Sequence, residues 1–112
     1  MAANNDKAIE ISECEFYETI NNGSGTVVID FFAEWCMPCL MLSPVIEELA
    51  NKLTEVKFAR VNIDENQTLS NKFGISSIPC LIVFKQGKEV DRILGALPEE
   101  VLEEKISEHL TN

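Results

Sequence analysis

Hydrophobic residues along this chain fall into continuous runs and helical stripes, which predict its main elements. An apolar run at 26–32, interrupted by a single charge at Asp30, predicts a central strand buried on both faces. After Cys36, apolar residues recur at helical spacing, which predicts a long amphipathic helix with a kink at Pro44. The stripe of that helix consists of Leu42, Val45, Ile46, Leu49, Ala50 and Leu53.

Shorter elements are predicted on either side of this strand and helix. Ser12 and Glu15 form a capping-box pattern, which predicts a helix over 13–21 with Phe16 and Ile20 facing the core. A turn at Gly23-Ser24-Gly25 follows it. The other predicted elements are an edge strand at 8–11, strands at 56–63, 80–84 and 89–94, a hairpin turn at Gln86-Gly87, a helix at 67–73 ended by Gly74, and a last helix opened by Pro98 that buries Leu102, Ile106 and Leu110.

The order of these elements predicts an α/β fold. A strand, a helix and a strand in succession form a right-handed crossover, so the strands at 26–32 and 56–63 are expected to be parallel. The whole pattern predicts a central mixed sheet of four to five strands flanked by four helices. At 112 residues, with no repeat, low-complexity segment or linker, the chain is expected to form one domain over 1–112.

Composition and charge exclude several classes of function. The net charge of −10, with no basic cluster, argues against nucleic-acid binding and favours basic partner surfaces. No apolar run approaches the roughly 18 residues of a membrane span. The polar segment Met1–Lys7 lacks an apolar signal, so we expect a cytoplasmic protein with no membrane partner. The protein is also expected to be a monomer.

The clearest chemical feature is the pair Cys36 and Cys39, which lies between the central strand and the long helix. A cysteine at the start of a helix lies at the positive end of the helix dipole, which favours thiolate over thiol. A disulfide closing a loop of four residues stabilises a fold by about 2 kcal/mol, against about 3 kcal/mol for fifteen residues. The spacing therefore favours a redox switch over a structural staple.

Two other readings of the cysteines remain open at this point. Cys36 and Cys39 are also half of a zinc site, which Cys14, Cys80 or His109 would have to complete. Cys80 is either a small apolar residue at the start of a strand or a third thiol within reach of the pair. Cys14 is expected to be a half-buried apolar residue of the first helix.

The chain resembles the thioredoxin family over essentially its whole length. The matching segments are 28–39 (Val-Ile-Asp-Phe-Phe-Ala-Glu-Trp-Cys-Met-Pro-Cys), 61–64 (Val-Asn-Ile-Asp), 73–75 (Phe-Gly-Ile), 78–79 (Ile-Pro) and 95–97 (Gly-Ala-Leu). Trp-Cys-x-Pro-Cys after a strand, followed about forty residues later by Ile-Pro and a hairpin, is far more specific than a lone Cys-x-x-Cys.

The resemblance implies a protein-disulfide reductase with no bound cofactor, which acts on disulfide-containing client proteins and is itself reduced by a separate thioredoxin reductase. By that resemblance Cys36 is the attacking thiolate, and Cys39 resolves the mixed disulfide. The first thiol is expected to be exposed and the second more buried. Alternatives are a thiol oxidase or isomerase of the same fold, or a metal or iron–sulfur module using Cys36, Cys39 and Cys80.

The resemblance also implies roles for residues around the dithiol. Asp30 would be a buried carboxylate with a raised pKa that takes the proton from Cys39; its alternative role is a strand-end side chain tied to a loop backbone. Arg60 stands where the family usually has Lys and would hold Asp30 more firmly ionised. Pro79 matches the family's cis-proline. The expected substrate-binding rim comprises Trp35, Met37, Pro38, Ile78, Pro79, Gly95 and Ala96, although Trp35 alone is also a candidate core residue.

Four further positions depart from the family pattern. Met37 replaces a usual Gly, Leu40 a usual Lys, Phe32 a usual Trp and Cys80 a usual Thr. Loss of the Lys removes a cation that would stabilise a nearby thiolate. These changes affect the expected redox potential and choice of partner more than the class of reaction.

Overall fold

The structure is a computed structural model that describes residues 8–21 and 25–110. Every strand and helix predicted from the sequence is present. The predicted ends agree with the structure to within one residue, except that the last helix ends at Ser107, so Leu110 lies beyond it and packs against the core from a partly buried position. The predicted turn residues Gly23 and Ser24 lie outside the described residues. The elements are β1 (Ile9–Glu10), α1 (Glu13–Asn21), β2 (Thr26–Phe32), α2 (Met37–Lys52), β3 (Val56–Asn62), α3 (Gln67–Lys72), β4 (Cys80–Lys85), β5 (Lys88–Leu94) and α4 (Glu99–Ser107).

The five strands form one mixed sheet in the order β1-β3-β2-β4-β5. β2 pairs in parallel with β3, which confirms the predicted crossover, and antiparallel with β4. All seven residues of β2 are buried, as its apolar run predicted. The two strands that follow Pro79 form the predicted hairpin, β4 with β5.

Helices cover both faces of the sheet, and the sheet separates the core into two layers. On one face, here called the α2 face, Val28 packs with Leu42 and Ile46 of α2 and with Leu102 and Ile106 of α4. On the other, the α1 face, Val27, Ile29 and Phe31 pack with Phe16 and Ile20 of α1 and Leu69 of α3. Since side chains alternate along a strand, Asp30 and Phe32 share the α2 face with Val28.

The first helix confirms two predictions and corrects a third. Glu15 Oε1 accepts a hydrogen bond from the Ser12 backbone N–H at 2.8 Å, which is half of the expected capping box. Phe16 and Ile20 are buried, as predicted. The prediction that Cys14 is half-buried is wrong, because its side chain is exposed. Two residues correspond to about 200° of helical rotation, so Cys14 lies on the face opposite Phe16.

The second helix runs unbroken from Met37 to Lys52 and includes Pro44. Most of its predicted stripe is buried, and Val45 packs against the core from a partly buried position. The bend at Pro44 stays a prediction. Among the helices of the described ranges, none is both long and apolar enough to cross a bilayer.

Candidate active site

The two cysteines lie at the point where β2 gives way to α2. Cys36 is the N-cap of α2, and its Sγ accepts a hydrogen bond from the Cys39 backbone N–H at 3.2 Å. Pro38 fits the first turn because the backbone N–H it lacks would have no partner within the helix. Cys36 and Cys39 are joined by a disulfide, with their Cα atoms 5.2 Å apart. The predicted placement of the first thiol at a helix N-terminus is therefore confirmed.

Neither cysteine is freely exposed. Cys36 is 5% exposed and Cys39 is 0% exposed, so the predicted order holds, but the expectation of an exposed Cys36 is wrong. The reason is local packing, since the pair forms a small apolar cluster with Phe32 and Ala33, against which Ile78 also packs. We call Phe32, Ala33, Cys36 and Cys39 the dithiol cluster.

Asp30 is buried in the strand that leads to this cluster. Its side chain is 1% exposed, and burial raises the pKa of the carboxyl from 3.8 to about 6, although Arg60 opposes the rise. Arg60 Nε donates to Asp30 Oδ2 at 3.3 Å, while Oδ1 has no hydrogen-bond partner among residues 8–21 and 25–110. The partner of Asp30 is therefore Arg60 on the neighbouring strand β3, and not a loop backbone.

Arg60 is fixed on two sides. It lies beside Asp30 in the parallel register of β2 and β3, and its guanidinium carbon lies 4.1 Å from the centre of the Phe32 ring. The cation lowers the pKa of Asp30, as expected of Arg at this position, but desolvation is the larger effect. Phe32 and Arg60, two of the positions that depart from the expected family pattern, therefore contact each other.

Trp35 is a surface residue, 70% exposed, so the alternative that places it in the core is wrong. Its Nε1 donates to Asp64 Oδ2 at 2.7 Å, which orients the indole beside the dithiol. Sequence reasoning missed this role of Asp64. A signal existed, because Trp35 follows β2 and Asp64 follows β3, and the carboxyl ends of adjacent parallel strands meet at one edge of a sheet.

The loops before β4 and after β5 meet next to the site. The Ile78–Pro79 peptide is cis, as predicted. The Gly95 backbone N–H donates to the Pro79 carbonyl at 3.0 Å, and Gly95 adopts φ +90°, a conformation that favours glycine. Ile78 is half-buried against the dithiol cluster, while Ala96, Met37 and Pro38 are exposed.

Cys80 lies outside this arrangement. It is buried on the α1 face and packs in the core layer of Phe31 and Phe84, because its antiparallel partner in β2 is Phe31. Burial raises the pKa of the Cys80 thiol, and Arg92 partly opposes that rise. Within the part of the chain that the structure describes, no group of three or more His, Cys, Asp or Glu residues could hold a metal ion. The three-thiol site with Cys36 and Cys39 is therefore not assembled.

Comparison with known proteins agrees with the geometry of the site. The thioredoxin family model matches residues 7–108 of the chain. Thioredoxin from Chlorobaculum thiosulfatiphilum is 41% identical over 105 residues, which are 93% of this chain and 97% of that protein. Thioredoxin from Chlamydia caviae is 49% identical over 86 residues, which are 77% of this chain and 84% of that one.

A solved structure shows the same similarity in three dimensions. A mutant thioredoxin from Halobacterium salinarum NRC-1 superimposes with a TM-score of 0.85 at 32% identity, covering 96% of this chain and 95% of that chain. The sequence match, the shared fold and the Cys36–Cys39 disulfide at the start of α2 lead to one assignment. The chain belongs to the thioredoxin family and is a thiol–disulfide oxidoreductase.

Proposed function

We propose that this chain reduces disulfide bonds in client proteins by dithiol–disulfide exchange. The observation that carries the proposal is the position of Cys36, which caps α2 with its Sγ facing the Cys39 N–H and is bonded to Cys39. Backbone N–H groups and the helix dipole at this end stabilise a thiolate, which is the nucleophile in disulfide exchange. The helix thus provides both the attacking and the resolving sulfur.

The exchange consists of two nucleophilic displacements at sulfur. The Cys36 thiolate attacks one sulfur of the client disulfide; a bond forms between Cys36 and the client, and the client's other sulfur leaves as a thiolate that takes up a proton. Cys39, deprotonated, then attacks Cys36 Sγ, and the second client sulfur leaves in the same way. The client disulfide gains two electrons and two protons, and the dithiol becomes the Cys36–Cys39 disulfide.

Asp30 is proposed to accept the proton of Cys39. Cys39 is completely buried and has no direct access to solvent, so its proton needs an internal acceptor. Asp30 shares the α2 face of β2 with Phe32, a member of the dithiol cluster, and a pKa of about 6 makes its carboxylate a stronger base than an exposed aspartate. Arg60 would keep enough of the carboxylate ionised for it to act as a base.

The remaining predicted site residues are proposed to bind the client backbone. Trp35, Met37 and Pro38 would contact the client from the α2 side of the disulfide, whereas Ile78, Pro79, Gly95 and Ala96 would contact it from the two opposing loops. The hydrogen bond between Gly95 and Pro79 supports this division because it holds those loops together. An extended segment would lie between the two sides.

Continued turnover requires a separate reductant, which we propose is a thioredoxin reductase that passes electrons to the Cys36–Cys39 disulfide. No cofactor is required for exchange between sulfurs. We assign the reaction to the cytoplasm, where thiols are kept reduced. The exposed free thiol of Cys14 supports a reducing compartment.

Trapping of the mixed disulfide tests the proposal. The Cys39→Ser variant should accumulate disulfide-linked adducts with client proteins through Cys36, because nothing resolves them. Cys36→Ser is the matched control and should trap none, while both variants should fail to reduce insulin disulfides. Adducts formed by Cys36→Ser but not by Cys39→Ser would reverse the two roles. A measured reduction potential separates a reductase from the oxidase or isomerase alternative.

A further inference from the structure

An exposed apolar stripe extends from the dithiol along α2. Met37, Leu40 and Met41 are 64%, 49% and 67% exposed, although large hydrophobic side chains are normally buried. Their spacing of three and four residues places them on one side of the helix, while Cys39, Leu42 and Ile46 are buried on the other. We call Met37, Leu40 and Met41 the α2 stripe.

The α2 stripe is continuous with the site already described. Cys36 caps the same helix, so the stripe begins one residue after the attacking sulfur. Trp35, which is also exposed, precedes Cys36 and adds a fourth apolar side chain. A segment bound at Cys36 would therefore meet this surface directly. Contiguous exposed apolar residues of this kind mark interaction surfaces, whereas scattered ones do not.

Apart from Arg60, which contacts Phe32 and is paired with buried Asp30, the charged residues placed beside Trp35 are acidic. No Lys or Arg occurs anywhere from residue 25 to residue 51. Glu34 is exposed next to Trp35, and Asp64 is hydrogen-bonded to Trp35 at 2.7 Å. A binding segment therefore meets an apolar surface with carboxylates at one side, which favours a cation on the partner and disfavours an acid.

We propose that the α2 stripe selects client segments that carry a bulky apolar side chain and a basic residue beside their disulfide. The inference rests on the proposed function, since the client must react at Cys36. The apolar side chain would be buried against Leu40 and Met41, and the basic residue would pair with the carboxylates near Trp35. Methionine suits such a surface because its flexible thioether adapts to different side chains.

Leu40 is the residue that defines this preference most sharply. Leu40 is 49% exposed and uncharged, so it offers apolar area to a client and does not repel a basic residue. A Lys at this position would repel a basic client and attract an acidic one.

Two disulfide peptides that differ only beside their cysteines test the inference. One carries Leu and Lys at the flanking positions and the other carries Ser and Glu. We expect kcat/KM to be at least about fivefold higher for the Leu–Lys peptide, as burial of part of one large side chain implies. Leu40→Gln and Met41→Gln should each lower the ratio of kcat/KM for the Leu–Lys peptide to kcat/KM for the Ser–Glu peptide. Leu40→Lys should lower it further by repelling the basic residue.

A matched control lies on another surface. Val90 is also an exposed apolar residue, but it belongs to β5, and Val90→Gln should leave the ratio unchanged. Reduction of hydroxyethyl disulfide, which is too small to reach the stripe, measures the dithiol chemistry separately. Wild-type protein and the three Gln variants should reduce it at similar rates. Leu40→Lys adds a cation near the thiolate, so its effect is taken from the ratio of the two peptides, in which a change in thiolate reactivity cancels.

Three results would overturn the inference. If the small disulfide is reduced but both peptides react equally in every variant, the docking role fails and the proposed reaction stands. If neither the small disulfide nor the peptides are reduced, the proposed function fails, and the docking inference fails with it. If sedimentation shows a dimer that Met41→Gln dissociates, and the peptide ratio does not change, the stripe binds a second copy of this chain.

Discussion

The replacement Asp30→Asn is expected to stabilise the fold at neutral pH. Asp30 is buried, one of its oxygens has no partner among the described residues, and its pKa is raised because desolvation exceeds the attraction of Arg60. An ionised group that favours its neutral form in the folded state destabilises that state whenever it is charged. Asparagine has a similar shape and cannot ionise, so it removes this penalty.

The magnitude follows from the shift in pKa. The rise from 3.8 to about 6 is about 2 units. At about 1.4 kcal/mol per unit, the ionised carboxylate destabilises the fold by about 3 kcal/mol. Arg60 loses its charged partner in this variant, which offsets part of the stabilisation. The offset is limited because the Arg60 side chain is partly exposed and still contacts Phe32. The net stabilisation is therefore expected to be about 1–3 kcal/mol.

The dependence on pH distinguishes this mechanism from a general packing effect. Because the folded state binds the Asp30 proton more tightly than the unfolded state, the penalty is absent below about pH 4 and develops as pH rises to about 6. The free energy of unfolding of Asp30→Asn should therefore exceed that of wild type most clearly at pH 7.5, and the difference should be much smaller at pH 4. Urea unfolding of the oxidised proteins measures both values.

Asp91 offers a control with the opposite sign. Its hydrogen bond to His109 lowers the pKa of this carboxyl, so ionised Asp91 stabilises the fold. Asp91→Asn should lower stability at neutral pH, and the difference should shrink as acid protonates the wild-type carboxyl. The claim that the buried charge is destabilising is wrong if Asp30→Asn lowers stability at pH 7.5. It is also wrong if the variant stabilises the fold as much at pH 4 as at pH 7.5.

Two further predictions concern the chemistry of the thiols. In single-turnover kinetics, Asp30→Asn should slow release of the reduced client more than the first attack, because the carboxylate is proposed to deprotonate Cys39; slowing confined to the first attack would reject that role. Cys80→Thr should leave insulin reduction unchanged, and a thiol reagent added to the folded oxidised protein should modify exposed Cys14 but not buried Cys80. A peroxide-induced link between Cys80 and Cys36 would contradict the second prediction.

The elements of the fold were predictable because their signals are local. The fully apolar run in Thr26–Phe32 requires cover on both faces, and both core layers supply it. The helical stripe after Cys36 and the glycine turn after β4 likewise depend on residues close in sequence. The helix-capping position of Cys36 belongs to this group, since a strand, two cysteines and an amphipathic helix follow directly along the chain.

Features that depend on a second segment could not be predicted with the same certainty. The burial of Cys36 depends on Ile78, more than forty residues away, and the orientation of Trp35 depends on Asp64. The exposure of Cys14 could have been derived from its angle to Phe16 on the helix. Its apolar character favoured partial burial, but helix geometry decides which residue faces the core.

The sequence by itself determined the order of the elements, the dithiol and its position at a helix start, because each rests on contiguous residues. Only the tertiary structure decided the pKa of Asp30 and the separation of Cys80 from the dithiol. The pKa of Asp30 reflects the balance between burial under α2 and the cation that the register of β3 places beside it. Cys80 packs away from the dithiol because strand register sets which face of a sheet a side chain occupies, and register is fixed by pairing with another strand.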